Sequence, residues 1–240
     1  MKGTYLNTAT VAVGSLIGWK IGEALPPAAQ SIALSGLGLV TVGIGIKMLL
    51  GSKNILIVAA SVALGGIIGM LLGIQIGIEH LAEWVRHSVG GTGTFSEGFV
   101  TACVLFCIGP MTLLGCIQDG LEGKSELLNL KSTMDGFASV FLAASLGIGV
   151  FFSAAFVLIF QGLLTLAERP LSGLRNDEEL LAELGGAGGP IMMAIGLMLL
   201  DIKKLPTADY LPALVIAPVI VILSRKAKTL LDARSKKPQT

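Results

Sequence analysis

Twenty-four consecutive residues, Ile55–Ile78, carry no charged side chain. A bilayer core of about 30 Å is crossed by a helix of about 20 mostly apolar residues, so this run alone is long enough to span it. Six more runs follow the same rule: Tyr5–Gly22, Ser31–Leu50, Gly98–Ile117, Phe137–Ala167, Ala187–Ile202 and Tyr210–Ser224. The predicted fold class is all-α, a polytopic helical membrane protein with about seven transmembrane segments in one integral domain, residues 1–240. Composition agrees. Only 14% of the residues are charged, against about 25% for a soluble domain. A net charge of +1 gives no basic field for nucleic acid.

The segments differ in quality. Phe137–Ala167 is about ten residues too long for an upright span and must tilt, bend or break. The last two reach only about 22–24 Å at 1.5 Å per residue, so they span thinly or form a re-entrant hairpin. Tyr5, Trp19, Trp84 and Tyr210 sit at segment ends, where amphipathic aromatics collect. The N-terminal run contains Asn7, Thr8, Thr10 and Ser15 and reads as a retained helix rather than a signal peptide. With seven spans, the positive-inside rule places the C-terminal tail in the cytoplasm.

Two polar connections interrupt the apolar runs. In residues 79–96, Leu81, Trp84, Val85 and Val89 share a helical face suited to the membrane surface. His80, Glu83 and His87 also share a face, but match no zinc signature. In residues 168–186, Asn176 or Asp177 is placed to cap a short solvated helix ending at Gly185.

Glycine and proline break the apolar segments at Gly36-Leu37-Gly38, Gly109-Pro110 and the run Gly185–Pro190. Pro110 deprives the Phe106 carbonyl of its helical partner. Pro190 suits the first turn of a helix, whose free N–H groups would favour an anion, while freed carbonyls would favour a cation. Broken helices point to a transporter site; glycine also serves plain helix packing, the reading given to Gly14, Gly18, Gly65, Gly66, Gly69 and Gly73. A shift of 151 residues lays 34–50 on 185–201 with four identities. This suggests repeats 1–78 and 137–224 around a linker helix 98–117, a 3+1+3 layout; a re-entrant segment between the halves would invert them.

Charges at membrane depth cost about 2.5–3.5 kcal/mol, so the few present are candidates. Gln118, Asp119 and Asp135 are expected at the mouth of a polar path around Gly109 and Pro110, with Gly188, Gly189 and Pro190 forming the second broken element. Lys47 either joins them or snorkels to the interface. Cys103, Cys107 and Cys116 read as small buried side chains. No cofactor or metal is implied.

The run CVLFCIGPMTLLGCIQDGL (103–121) carries a resemblance, with NTATVAVGSLIG, LKSTMDGFASVFLAASLGIGVFFSA (130–154), Gln161-Gly162, IGLMLLDIKKL and LPAL. Together they resemble the YqgA/YdfK-like family of bacterial inner-membrane proteins of unknown function. The resemblance covers essentially the whole chain and implies a multi-pass protein of the cytoplasmic membrane, with no site to carry across. Where that family often has Asn in the sixth segment, this chain has Met198. The function expected from the broken helices is small-solute or ion transport, with a non-transporting scaffold as the alternative. No hydrolase or metalloprotease signature is present, so no enzyme is expected. The expected partners are the lipid bilayer, a small solute or ion, and further copies of the chain.

Overall fold

The computed structural model describes residues 1–91, 93–108, 110–167 and 177–235. Ten helices carry the described fold: α1 (Lys2–Ala24), α2 (Pro27–Leu50), α3 (Ile55–Leu72), α4 (Ile74–Val89), α5 (Phe95–Cys107), α6 (Pro110–Glu122), α7 (Glu126–Leu146), α8 (Gly149–Leu166), α9 (Glu178–Leu199) and α10 (Ala213–Ser235). A 3-10 turn, Thr207–Tyr210, precedes α10. No strand occurs among the described residues.

The bundle is inside-out by the standards of a soluble protein. On α1 the buried positions include Gly3, Thr4, Asn7, Gly14, Ser15, Gly18 and Gly22, while Tyr5, Leu6, Val13, Leu16, Ile17 and Ile21 point outward. On α7, Lys131, Ser132, Asp135 and Ser139 are buried, and Leu130, Met134, Phe137 and Phe141 are exposed. Water would reverse this pattern; hydrocarbon favours it, because small and polar residues make the helix contacts and large apolar ones meet lipid. Five helices are long and apolar enough to cross a membrane, and the bent pair α5–α6 makes a sixth span. α1 and α7, with 23 and 21 residues, are long enough, but their polar inner faces lower their hydropathy.

The chain is therefore a helical membrane protein, but several expected boundaries move. The long fifth run breaks at Gly147 (φ 80°) into α7 and α8. The two short runs are not short. The sixth belongs to the 22-residue α9, and the seventh extends to a 22-residue apolar stretch, Thr207–Lys228. α9 starts at Asp177, whose carboxylate accepts the Leu180 N–H at 3.1 Å. Arg225 of α10 hydrogen-bonds that carboxylate and holds it ionised down to about 2. α9 neither stops at Gly185 nor begins at Pro190.

Two close packings organise the bundle. α1 and α7 run parallel. Gly14 lies against Gly136 and Ser139, Gly18 against the Val140 backbone and Gly22 against the Ala144 backbone. α2 and α9 run antiparallel, with Gly45 on Gly189 and Gly38 on Gly196. The two stretches matched by the 151-residue shift thus pack on one another. The intervening chain forms a surface helix and a broken span instead of one linker helix, so the 3+1+3 layout gains no support. α5 sits at the centre, with Phe95 and every residue from Gly98 to Cys107 buried.

The helix directions place the start of α1 and the later part of α10 on one face. Met1 meets Asp119 at the end of α6, and Ile117 of α6 packs with Leu184 of early α9 and Leu164 of late α8. The end of α10 returns to Asp177 and Glu179 beside that site. The expected odd count of seven would have separated the ends.

A Cβ on Gly18 would overlap the Val140 carbonyl oxygen, whereas one on Gly36 meets nothing within 4 Å. Gly18→Leu is expected to destabilise the bundle by about 1–3 kcal/mol or more, and Gly36→Leu to leave it unchanged. Thermal unfolding in detergent, followed by size-exclusion chromatography, checks both.

Candidate functional site

The start of α1 is the point around which the polar groups gather. Its first N–H groups have no helical partners and present a positive dipole end. Asp119 of α6, 2% exposed, meets them: Gly3 N–H donates to Oδ2 at 3.0 Å, and the Met1 amine stands 3.0 Å from Oδ1. One turn on, Thr4 and Thr165 of α8 share a hydroxyl hydrogen bond of 3.2 Å. A further turn brings Asn7, whose Nδ2 donates to Asp135 Oδ2 at 3.0 Å. Lys131 donates to that same oxygen at 2.5 Å from one turn earlier on α7. A buried ion pair with an additional hydrogen bond is the arrangement that offsets the desolvation of both charges.

The cluster also contains unmet capacity. Gln161 of α8 is fully buried, and neither its Oε1 nor its Nε2 has a partner. Asn7 Oδ1, Thr112 Oγ1 and Gln118 Oε1 are likewise unpartnered. An unmet buried polar group costs about 1–3 kcal/mol, and ordered water or a solute is its ordinary remedy. Beside the cluster the fourth span breaks. α5 ends at Cys107, Ile108 is extended, and α6 leaves at 63°. Non-helical backbone at membrane depth persists where protein buries it or a wet cavity receives it.

Of the residues singled out by sequence, Asp119, Asp135 and Gln118 lie near this point and Pro110 opens α6, while Gly109 falls outside the described residues. The others lie outside the polar cluster. Gly188, Gly189 and Pro190 lie within continuous α9, where a Cβ on Gly189 would stand 2.6 Å from the Gly45 carbonyl oxygen. Gly189 thus serves the close approach of two backbones, whereas a Cβ on Gly188 would meet the side chains of Met48 and of Ile108 at the break. Pro190 lies inside the helix without ending it, although it supplies no N–H to the Gly186 carbonyl. Lys47 lies exposed in the last turn of α2. The Lys131–Asp135 pair was available in the sequence as an i,i+4 spacing.

Glu183 was not foreseen. It is fully buried on α9 and takes the Ser52 hydroxyl on Oε2 at 2.7 Å. Its Oε1 receives the Lys53 and Asn54 N–H groups at 2.7 and 2.8 Å. It thus closes the α2–α3 turn and faces the dipole of α3.

On the opposite face a cavity of about 540 Å³ opens between α4, α5, the end of α9 and the 3-10 turn. Ser96 donates to Glu83 at 2.6 Å, which with Arg86 holds the Glu83 carboxyl below its ordinary range. The buried Thr101 side chain lines this cavity with Oγ1 unpartnered.

Residues 2–222 match the family described as Protein of unknown function (DUF554). The chain belongs to that family. It is 30% identical over 227 residues to the uncharacterized membrane protein YdfK of Bacillus subtilis (strain 168), covering 93% of this chain and 96% of the relative. It is 28% identical over 221 residues to the uncharacterized protein YqgA of Escherichia coli (strain K12), with 90% and 94% covered. No solved structure matches it. The resemblance read from the motifs therefore holds across the length of this DUF554 chain.

Glu183→Ala would strand three donors at once. Loss of about 3 kcal/mol or more of stability is expected; Glu183→Gln, which keeps an acceptor oxygen, should lose less. Thermal unfolding with protease accessibility at the α2–α3 turn measures the difference.

Proposed function

We propose that this DUF554 chain passes a small polar solute or an ion across the cytoplasmic membrane along the α1–α6–α7–α8 contact, beside the break in the fourth span. The observation that carries the reading is Gln161, fully buried with an amide that bonds to nothing. In a path, that amide and the free oxygens of Asn7, Thr112 and Gln118 would take over a passing solute's hydration. Asp119 serves α1 more than a cation, since its oxygens already face the Met1 amine and the Gly3 N–H. The pair Lys131–Asp135 is the better gate: the lysine occupies the carboxylate, and a competing cation or a proton would release it.

A scaffold without transport is the second reading. It is favoured by how much of the cluster pairs internally, Asn7–Asp135–Lys131 and Asp119 with the start of α1. Self-association belongs to both readings. The outer face of α2 offers Gly36 and Gly43 with nothing within 4 Å, room for the backbone of a second copy.

Charge supports an orientation. Among the described residues, the face holding Met1 carries Lys2, Lys47, Lys53, Lys124, Lys131, Arg225, Lys226 and Lys228; the other carries Lys20, Arg86, Lys203 and Lys204. The positive-inside rule puts the Met1 face in the cytoplasm, and with α1 and α7 crossing the chain makes eight passes. A cysteine at Lys2 or Lys226 should resist an impermeant thiol reagent in intact cells, and one at Lys203 should react.

Purified protein in liposomes on a solid-supported membrane tests transport, with jumps of protons, alkali cations, small anions and amino acids. A substrate-dependent current is expected, reduced at least about tenfold in Gln161→Leu and shifted in pH dependence in Asp135→Asn. Folded protein silent to the whole panel would favour the scaffold.

A further inference from the structure

The cavity on the face away from Met1 belongs to no part of the path proposed above. Its polar lining is oxygen-rich and net acidic, with Glu79, Glu83 and Glu97 against the single ammonium of Lys204. These carboxylates are unequally satisfied. Glu97 is paired with Lys204 at 3.1 Å, and Glu83 with Arg86 at 2.6 Å and Ser96. Glu79, exposed at the cavity mouth, accepts the neutral Gln75 amide at 2.7 Å, and no cation among the described residues pairs with it.

The wall that presents Glu79 is built rather than incidental. Gln75 Oε1 accepts the Ala208 N–H at 3.0 Å, and the Gln75 N–H donates to the buried Asp209 at 2.8 Å. The α4 start is thereby fixed to the 3-10 turn. Across the cavity stands Thr101, 1% exposed, its hydroxyl without a partner. A threonine in a helix commonly donates to the carbonyl one turn back; this one does not, and its buried oxygen meets no other protein group.

We propose that this cavity binds a small organic cation carrying N–H donors, of the diamine class. Several observations select that class. A volume of about 540 Å³ is many times the roughly 30 Å³ share of one water, too roomy for a bare ion. No group of three or more His, Cys, Asp or Glu among the described residues is disposed to hold a metal, and His80 at the rim joins no such set. No aromatic face among the described residues lines the cavity, so a quaternary ammonium would find no cation–π partner there. An ammonium with three N–H donors suits what is present: the Glu79 carboxylate on α4 and, one turn apart on α5, the partly neutralised Glu97 and Thr101. This inference goes beyond the proposed function, because it concerns equilibrium binding and stands whether or not the chain moves anything.

Calorimetric titration of the purified full chain in detergent tests it, with putrescine, tetramethylammonium and magnesium as separate probes at one ionic strength. Putrescine is expected to bind saturably and at least about tenfold more tightly than tetramethylammonium. Glu79→Gln and Thr101→Val should each weaken it about tenfold. Thr101→Ser, which restores the hydroxyl, should retain binding and separates lost recognition from lost folding. Gln161→Leu, in the other cluster, should bind as the parent does. The proposal is overturned if putrescine does not bind, if tetramethylammonium binds equally well, if magnesium binds in its place, or if the Glu79 and Thr101 variants bind unchanged.

Discussion

Backbone-to-backbone contact between α1 and α7 is the constraint on which the polar interior depends. Three glycines one turn apart, Gly14, Gly18 and Gly22, remove every side chain that would hold the helices apart. The two helices run parallel, so the same register carries through to their starts. It sets Asn7 against Asp135 and the first residues of α1 within reach of Asp119. Dispersion between closely fitted helices and a few buried hydrogen bonds supply the association that the hydrophobic effect cannot provide between apolar surfaces in lipid. The glycine ladder and the charged pair above it are thus one structure: separation at Gly18 would also withdraw Asn7 from Asp135.

The sequence made the class of fold legible, because the length of an apolar run is a direct measure of membrane thickness. It was less able to place ends. α9 looked short because Glu178, Glu179 and Glu183 dilute its first turns, yet Glu183 is buried for a reason no local pattern contains: its partners lie about 130 residues earlier, at Ser52, Lys53 and Asn54. Gly188-Gly189-Pro190 and Gly109-Pro110 look alike as strings. In the first, the helix continues past its proline, with α2 packed on Gly189; the second adjoins an extended Ile108 and a change of direction.

The site was legible in part for the same reason. Asp119 and Asp135 stood out as charges in apolar surroundings, and both proved buried. Gln161 and Asn7 were visible only as uncharged polar residues in apolar runs. Their importance comes from convergence of four helices, which spacing along one chain does not encode. Lys47 stood out equally well and faces outward, since a long flexible ammonium near a helix end has an escape to the interface that a short carboxylate lacks.

Gly73 has a consequence for how the molecule sits in its solvent. With φ 64° and ψ 35° it ends α3 and opens α4 in a single residue. α3 carries no charged side chain; α4 buries Ala82 and rests Ile74, Ile78 and Val85 on the core while Trp84 stands 68% exposed. A vertical element and an amphipathic one are therefore hinged without slack. The second acts as a float whose waterline the first cannot adjust by lengthening a loop. A thinner or thicker bilayer must be met by tilting the bundle or by deforming lipid around it, and the rim of the acidic cavity, borne by α4, would move with the float.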